Sequence, residues 1–441
     1  MTKTAFGCSI TVERQNEGIQ VNTITRNPHE TRVVITGLGT INPLGHTVAE
    51  YWDNLIKGKS GIRRAKNVDL SDFSIQIAGE IDLPDLSGYF KSKKVEKKLD
   101  RYIIFGHISG TQAIRDSGID IEGAPHRYGS LIGTADAGIA THLENIKRIV
   151  RTGMQSVSPY FVTSAIPNTA PAYFAKEWNL QGVSFSVNSA CSSSNHALGL
   201  AVSLIKMGMA DAIFAGGSEA AVNESGFAAF AKIFALSDRN DSPETASRPF
   251  DKDRNGFVLS EGAGVLCLEE LEHANRRGAH IYAEISGVGF SCDAYDLVAP
   301  DPEAEGAARA MKLALESARL NPEDINLING HATSTPLGDI AESVAINKVF
   351  GKSAEKIPVH STKSMTGHML GGAGTVEAIA AILALEKGII HPTINVFEQD
   401  SAINLNVVKN NLQNGRIDHV LSNSFAFGGQ NAVLVFSRFK G

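Results

Sequence analysis

The sequence predicts an α/β protein built from two similar halves, on three observations: an internal repeat, a matched closing segment in each half, and helical stretches set between apolar strands. The repeat is Ile35-Thr36-Gly37-Leu38-Gly39 against Ile285-Ser286-Gly287-Val288-Gly289, each after a β-prone run, Arg32-Val33-Val34 and Ile281-Tyr282-Ala283-Glu284. Self-similarity of this kind is the mark of a duplicated architecture. Each half also closes with an apolar run entering glycine-rich sequence, Ala212 to Gly217 in the first and Val420 to Gly429 in the second.

The helical stretches supply the third observation. Gly306 to Leu320 places Ala308, Met311, Leu313, Ala314 and Ala318 at the spacing of a buried stripe. Strands alternating with such helices imply parallel-rich sheets covered on both faces. The reading divides the chain into an extension (1–31), a half carrying a nucleophile (32–280) and a half carrying two histidines and a lysine (281–441). In the extension, Ile10 to Thr25 alternates apolar and polar residues around Asn16-Glu17-Gly18, the pattern of a small hairpin. It is assigned no function.

Composition bounds the class. The chain has 441 residues, 43% hydrophobic and 20% charged, enough for a large core without cross-links. Four cysteines, at 8, 191, 267 and 292, form no CxxC motif and fit a reducing compartment. No 18-residue apolar run and no signal-peptide core is present, and Glu13, Glu17 and Glu30 argue against a transit peptide, so a cytoplasmic protein without a membrane partner is expected. A net charge of −6 gives no basic face for nucleic acid. Gly37 and Gly39 do not complete a dinucleotide fingerprint, because Asn42 stands where the third glycine belongs, and no P-loop exists. The local exception is a basic run of Lys91, Lys93, Lys94, Lys97, Lys98 and Arg101, which is either a solvated helix face or a docking patch for an acidic protein.

Val183 to Ala190 reads as a strand and Ser192 to Met207 as an apolar helix ending at Gly208, with Cys191 at the junction. A thiol at a helix N-terminus feels unpaired N–H groups and the positive end of the dipole, which favour the thiolate. The same N–H groups can hold an oxyanion after attack on a carbonyl. By this junction alone a buried core cysteine fits equally well, and Cys267, within an apolar run, takes that reading outright.

His331 ends an apolar strand and enters the hydroxyl-rich loop Ala332-Thr333-Ser334-Thr335-Pro336, and His368 follows Lys363-Ser364-Met365-Thr366-Gly367 before a glycine-rich helix start. Taken singly each is compatible with a structural histidine, as are His46, His107 and His196. Zinc is disfavoured because no short-spaced ligand pair occurs.

Read together, five ordered segments resemble the elongating β-ketoacyl-acyl-carrier-protein synthases of the thiolase-like superfamily, from about Arg32 to Phe439. They are Ser189 to Ser194, Arg248 to Phe257, His331 with Thr333 to Pro336, Lys363 to His368, and Asn423 to Gly429. The resemblance implies a duplicated αβαβα sandwich, a homodimer or a heterodimer with a related subunit, an acidic acyl carrier protein as partner, and no metal or organic cofactor.

It also implies roles. An acyl group carried on phosphopantetheine moves to Cys191, whose N–H with that of Phe427 forms the oxyanion hole. His331 and His368 stabilise the enolate left by malonyl decarboxylation, Lys363 tunes the site with Glu377 in support, and Thr333 and Thr335 bind the pantetheine arm. Phe425 and Phe427 belong to a gating loop, and Lys93, Lys94, Lys97 and Lys98 lie where the family has a basic, carrier-facing helix. Four departures bear on substrate. Ala332 and Ala426 replace the usual glycines, removing freedom to adopt positive φ, and Gln430 replaces a threonine. Asp136 stands where relatives present an apolar residue near the acyl pocket; a carboxylate there is costly beside a fatty chain, which admits a polyene or polyketide pathway as the alternative to fatty-acid elongation. A non-catalytic partner subunit and a thiolase are the further alternatives; the intact cysteine, histidines and lysine oppose the first.

Overall fold

The computed structural model describes residues 26–91 and 94–441; the hairpin expected at Ile10 to Thr25, Cys8 and Lys93 lie outside them. Each half contributes five strands to one continuous sheet system. In the first half these are β1 (Val33–Ile41), β2 (Tyr128–Gly133), β3 (Ser184–Val187), β4 (Ala212–Ala220) and β5 (Glu261–Glu270). In the second they are β6 (Ala283–Cys292), β7 (Leu327–Asn329), β8 (Pro358–His360), β10 (His419–Ala426) and β11 (Gln430–Ser437), with the two-residue β9 (Asn406–Val407) at the edge.

The strand order is β9-β8-β7-β10-β11-β6-β1-β5-β4-β2-β3, so that, β9 apart, the second half mirrors the first about the β6–β1 junction. That junction is thin: only Val34 with Glu284 and Ile35 with Ala283 pair across it. The expected parallel-rich sheets are found only in the outer three strands of each half. The inner two run antiparallel. The second half's antiparallel pair is a hairpin through the glycine-rich turn at Phe427–Gly429.

Five helices define the layers: α1 (Arg101–Ser117), α2 (Ser193–Lys206), α3 (Glu305–Ala318), α4 (Pro336–Phe350) and α5 (Ala373–Lys387). Helix α5 is buried from Ala373 through Leu385, as an all-round apolar helix must be. It packs with α2 between the two sheet faces, α1 covers the outside of the first half, and α3 with α4 covers the second. The result is α-β-α-β-α layering. The repeated Gly-x-Gly has a physical reason here: a Cβ on Gly37 or Gly39 would meet the Ala113 or Ser109 carbonyl of α1, and one on Gly287 or Gly289 would meet the Ala314 or Ala310 carbonyl of α3. In both halves the glycines let a helix backbone lie directly on the strand.

Candidate active site

The nucleophile turn is a 3₁₀ turn, Ala190–Ser192, between β3 and α2. Ala190 sits at φ 48°, a left-handed conformation that costs energy for any residue with a Cβ. The surroundings hold it there. The Ser192 hydroxyl is within hydrogen-bond reach of the Ser424 and Gln430 carbonyls, at 2.9 and 2.8 Å, and the Ser189 amide donates to Ser193 Oγ at 2.9 Å. The turn of the first half is thus bolted to the β10–β11 hairpin of the second.

The thiol departs from the sequence expectation. Cys191 is buried, and that burial pushes its thiol up to about 12 despite the downward pull of the Lys363 ammonium and the Phe427 amide. Desolvation outweighs the favourable field of the helix terminus, so the resting group is a thiol rather than a thiolate. Its neighbour answers this: His368 Nε2 lies 3.1 Å from Cys191 Sγ, placed to take the proton as a bond forms.

His331 follows β7, and its position is fixed from α4: Glu342 accepts from the amides of His331 (2.8 Å) and Ala332 (2.6 Å) and from Asn423 Nδ2 (2.8 Å). His368 is held by backbone, donating to the Val258 carbonyl at 2.8 Å and accepting from the Ser260 amide at 3.1 Å. The two imidazoles stand edge to face with centroids 5.3 Å apart. Burial, then the Lys363 charge, hold both well below the usual histidine range, so both are neutral at physiological pH. Lys363 itself is buried and paired with Glu377, the first residue's Nζ against the second's carboxylate. Cys191, His331 and His368 offer ligand atoms within 4.8 Å of one another; the adjacent Lys363 cation opposes a dication there for the same Coulombic reason that it opposes imidazolium.

These groups open on a cavity of about 360 Å³. Thr333 and Thr335 line it with their hydroxyls 3.0 Å apart, and Phe425 and Phe427 line it beside the cysteine. The Thr-Ser-Thr loop is another strained segment, with Ser334 at φ 72°. Arg254 caps it by donating to the Thr335 and Pro336 carbonyls, at 3.1 and 2.8 Å, and the Arg248 amide donates to Ser334 Oγ at 3.0 Å. The Arg248 to Phe257 segment therefore scaffolds the loop. The glycine replacements cost nothing in this conformation: Ala426 lies at φ −126°, Ala332 is not among the positive-φ residues, and Gly428 and Gly429 take φ 79° and 69°.

The expected basic helix is instead a 3₁₀ turn, Val95–Lys97, with Val95 buried and Lys94, Lys97 and Lys98 exposed. Lys97 and Lys98 border a second cavity of about 500 Å³ beside Asp100 and Arg148, apart from the cysteine. Asp136 is half-buried next to Glu219, and a negative charge on either raises the Cys191 thiol. Sequence reasoning missed Glu342, Glu219 and Asp339, whose carboxylate accepts the Phe250 amide at 2.8 Å and the Ser334 amide at 3.1 Å and so holds the Thr-Ser-Thr loop. The signal for Glu342 and Asp339 was there: acids three residues apart on the buried face of α4, just after the Thr335-Pro336 start.

Comparison with known proteins agrees with this geometry. The sequence models described as Beta-ketoacyl synthase, N-terminal domain, and Beta-ketoacyl synthase, C-terminal domain, match residues 30–274 and 282–397. The chain is 45% identical over 409 residues to 3-oxoacyl-[acyl-carrier-protein] synthase 2 of Coxiella burnetii, covering 92% of this chain and 98% of that one. Among solved structures, a type II PKS acyl-carrier protein in complex with its ketosynthase bound to the hexaketide matches with TM-score 0.87 at 33% identity, over 93% of this chain and 100% of the other. The ishigamide ketosynthase/chain length factor matches with TM-score 0.86 at 33% identity and the same coverage.

Proposed function

Because the chain belongs to the β-ketoacyl synthase family, we propose that its Cys191 site condenses an acyl group with a malonyl carrier protein, giving a β-ketoacyl carrier protein two carbons longer. It is an acyltransferase of fatty-acid elongation. The observation that carries the mechanism is the 3.1 Å approach of a neutral His368 to the buried Cys191 thiol.

In the first half-reaction, Sγ attacks the acyl thioester while its proton passes to His368 Nε2 and on to the departing pantetheine thiol. The oxyanion is held by the Cys191 and Phe427 amides. In the second, with His368 brought to its neutral Nε2–H tautomer by proton exchange with solvent, the malonyl C–C bond breaks, carbon dioxide leaves, and the electron pair becomes an enolate whose oxygen receives the His331 and His368 N–H groups. The enolate carbon then attacks the acyl-Cys191 carbonyl, and the released thiolate takes a proton from solvent. Burial first, and then the charge of Lys363, itself paired with Glu377, keep both imidazoles uncharged, and Thr333 with Thr335 bind the pantetheine arm. This chemistry uses no metal or organic cofactor.

The partner in this reading is an acidic carrier protein drawn to Lys94, Lys97 and Lys98, with Lys93 beside them in the sequence, by complementary charge. A second copy of the chain is the other partner. Support comes from β3, which is an edge strand, and from exposed apolar side chains on the nearby 139–166 segment, Val150, Met154 and Val162 among them; such edges and patches are normally covered. No helix among the described residues is long and apolar enough to cross a membrane; a cytoplasmic site of action is part of this reading, supported by the sparse cysteines of the sequence. A second reading, a ketosynthase for a polyene or polyketide chain, is favoured by Asp136 alone.

The test is incubation with acyl carrier and malonyl carrier, following intact mass and products with Cys191→Ala as control. Acylation of Cys191 and a product two carbons longer are expected. A wild type that neither acylates nor decarboxylates malonyl carrier would overturn the catalytic reading in favour of a non-catalytic subunit.

A further inference from the structure

The cysteine cavity reaches solvent through a rim that the mechanism above leaves without a use. Ile233 and Phe234, just after the helix Glu224–Lys232, Leu337 in the first turn of α4, and Val298 all line that cavity. Unlike the reacting groups, these side chains stand out in water: Phe234 is 89% exposed and Leu337 63%, and Ile233 and Val298 are exposed as well. Leu297, next to Val298, is 80% exposed. A lone exposed leucine is ordinary, whereas large apolar side chains gathered at one opening mark a contact surface.

Phe234 carries a second signature. Its φ is 55°, a left-handed conformation that glycine takes freely and a bulky side chain takes only under strain. The fold enforces the turn: the Phe234 amide donates to the Ala231 carbonyl and the Ala235 amide to the Phe230 carbonyl, both at 3.1 Å, and the Phe257 amide donates to the Ala235 carbonyl at 2.9 Å. The Phe230 ring in turn packs on Phe257 and Phe427, with centroids 5.4 and 6.2 Å away. The loop carrying Leu297 and Val298 is pinned too. Asp296 accepts the Val298 and Ala299 amides, each at 2.8 Å, and the Leu297 carbonyl accepts the Gly428 amide at 2.9 Å. A phenyl ring held in solvent on a strained backbone contributes little to the fold of the chain alone, and strain of this kind persists where a function uses it.

Charge narrows what covers the rim. Among the described residues that line the cavity there is no lysine or arginine, while the half-buried Asp293 and Asp301 are both there. A pantetheine arm presented by a free polyanionic nucleotide finds no cation at this opening. The arm that reaches Thr333 and Thr335 enters the same cavity, so whatever protein holds the arm comes to rest on Phe234 and its neighbours.

We propose that Phe234, with Ile233, Val298 and Leu337, is the seat of the acyl carrier protein, which it recognises through an apolar side chain beside the attachment point of the arm. Lysines 94, 97 and 98 steer the carrier, and Phe234 determines which carrier is accepted. Truncating an aromatic anchor at the centre of a contact costs about tenfold or more in affinity. This rests on the acyl-transfer reading given above.

The experiment measures Cys191 acylation by a hexanoyl or a 2,4-hexadienoyl group, presented either on acyl carrier protein or on free pantetheine, with the wild type, Phe234→Gly and Phe234→Leu. Phe234→Gly relieves the backbone as it deletes the ring, so it is expected to fold as the wild type does. Its kcat/KM with the carrier donor falls about tenfold, through KM, and its rate with the pantetheine donor is unchanged. Phe234→Leu keeps most of the carrier rate, and the ratio of wild type to Phe234→Gly is the same at low and high salt, as an apolar contact requires. The proposal is overturned if Phe234→Gly keeps the wild-type KM for the carrier, if both donors lose equally, if Phe234→Leu is no better than Phe234→Gly, or if the ratio collapses with salt. It is equally overturned if Phe234→Gly changes the sedimentation of the protein, which would make a second copy the occupant of the rim. Failure of every donor to acylate wild-type Cys191 would instead overturn the enzymatic reading beneath it.

Discussion

The Cys191 thiol is held up to about 12 by burial, which makes its reactivity conditional on the imidazole 3.1 Å away. His368→Ala removes that acceptor and is expected to slow acylation about 10²- to 10⁴-fold, read by the rate of mass increase on Cys191 in single-turnover experiments. The pH profile follows from the same groups. The functional imidazoles are the neutral forms, and burial with the Lys363 charge lowers both. The acid limb of the acylation rate therefore begins below pH 6.5, the ordinary histidine value, rather than at it; a pH–rate profile that breaks at or above 6.5 would contradict the assignment.

A separate buried pair, His360 and His391, stacks with centroids 3.8 Å apart, and burial lowers His391 to about 4. A histidine lowered in the folded state gives stability that is full above the unfolded value of about 6.5 and is lost as pH falls below it. Between pH 6.5 and about 4 this group withdraws roughly 1.4 kcal/mol per pH unit. Denaturant titrations of wild type and His391→Gln across that window should show a shallower pH slope in the variant.

At the scale of elements, the site is assembled from segments that lie far apart in the chain. Lys363 lies before α5 and Glu377 within it, both buried. Lys363→Ala strands a buried carboxylate and is expected to cost about 3–5 kcal/mol, measured by urea unfolding. The double replacement Lys363→Met with Glu377→Leu should recover much of that stability without recovering activity, because the field on the imidazoles is gone. The strand–helix contacts make an independent prediction. Gly287→Ala puts a methyl group against the Ala314 carbonyl of α3, and overpacking of this kind costs about 1–3 kcal/mol, visible in the same measurement with little change in acylation by the folded fraction.

On the scale of the whole molecule, the sheet ends at β3, whose four residues are partly exposed. If a second copy covers this edge, the protein sediments as a dimer, and Val150→Glu with Val162→Glu, at positions 81% and 65% exposed, yields a monomer. A wild-type monomer at micromolar concentration removes that partner.

Much was written locally. The Gly-x-Gly repeat marked the two strands that carry helices directly on their backbones, and Cys191, His331, Lys363 and His368 stood out together through the ordered motifs that hold them, although Cys191 and each histidine taken singly fitted a structural role. What the chain could not declare is what desolvation does to those groups, since burial depends on everything packed around them. Position at a helix start argued for a thiolate at Cys191, and tertiary burial overruled it. Glu219, Glu342 and Asp339 were silent for a related reason: a carboxylate earns its role from the amides that converge on it, and those come from segments up to 152 residues away, as Gly371 does for Glu219. Local pattern thus determined the fold and the identity of the reactive groups, while the protonation state of each was decided only when distant donors, charges and apolar walls closed around it.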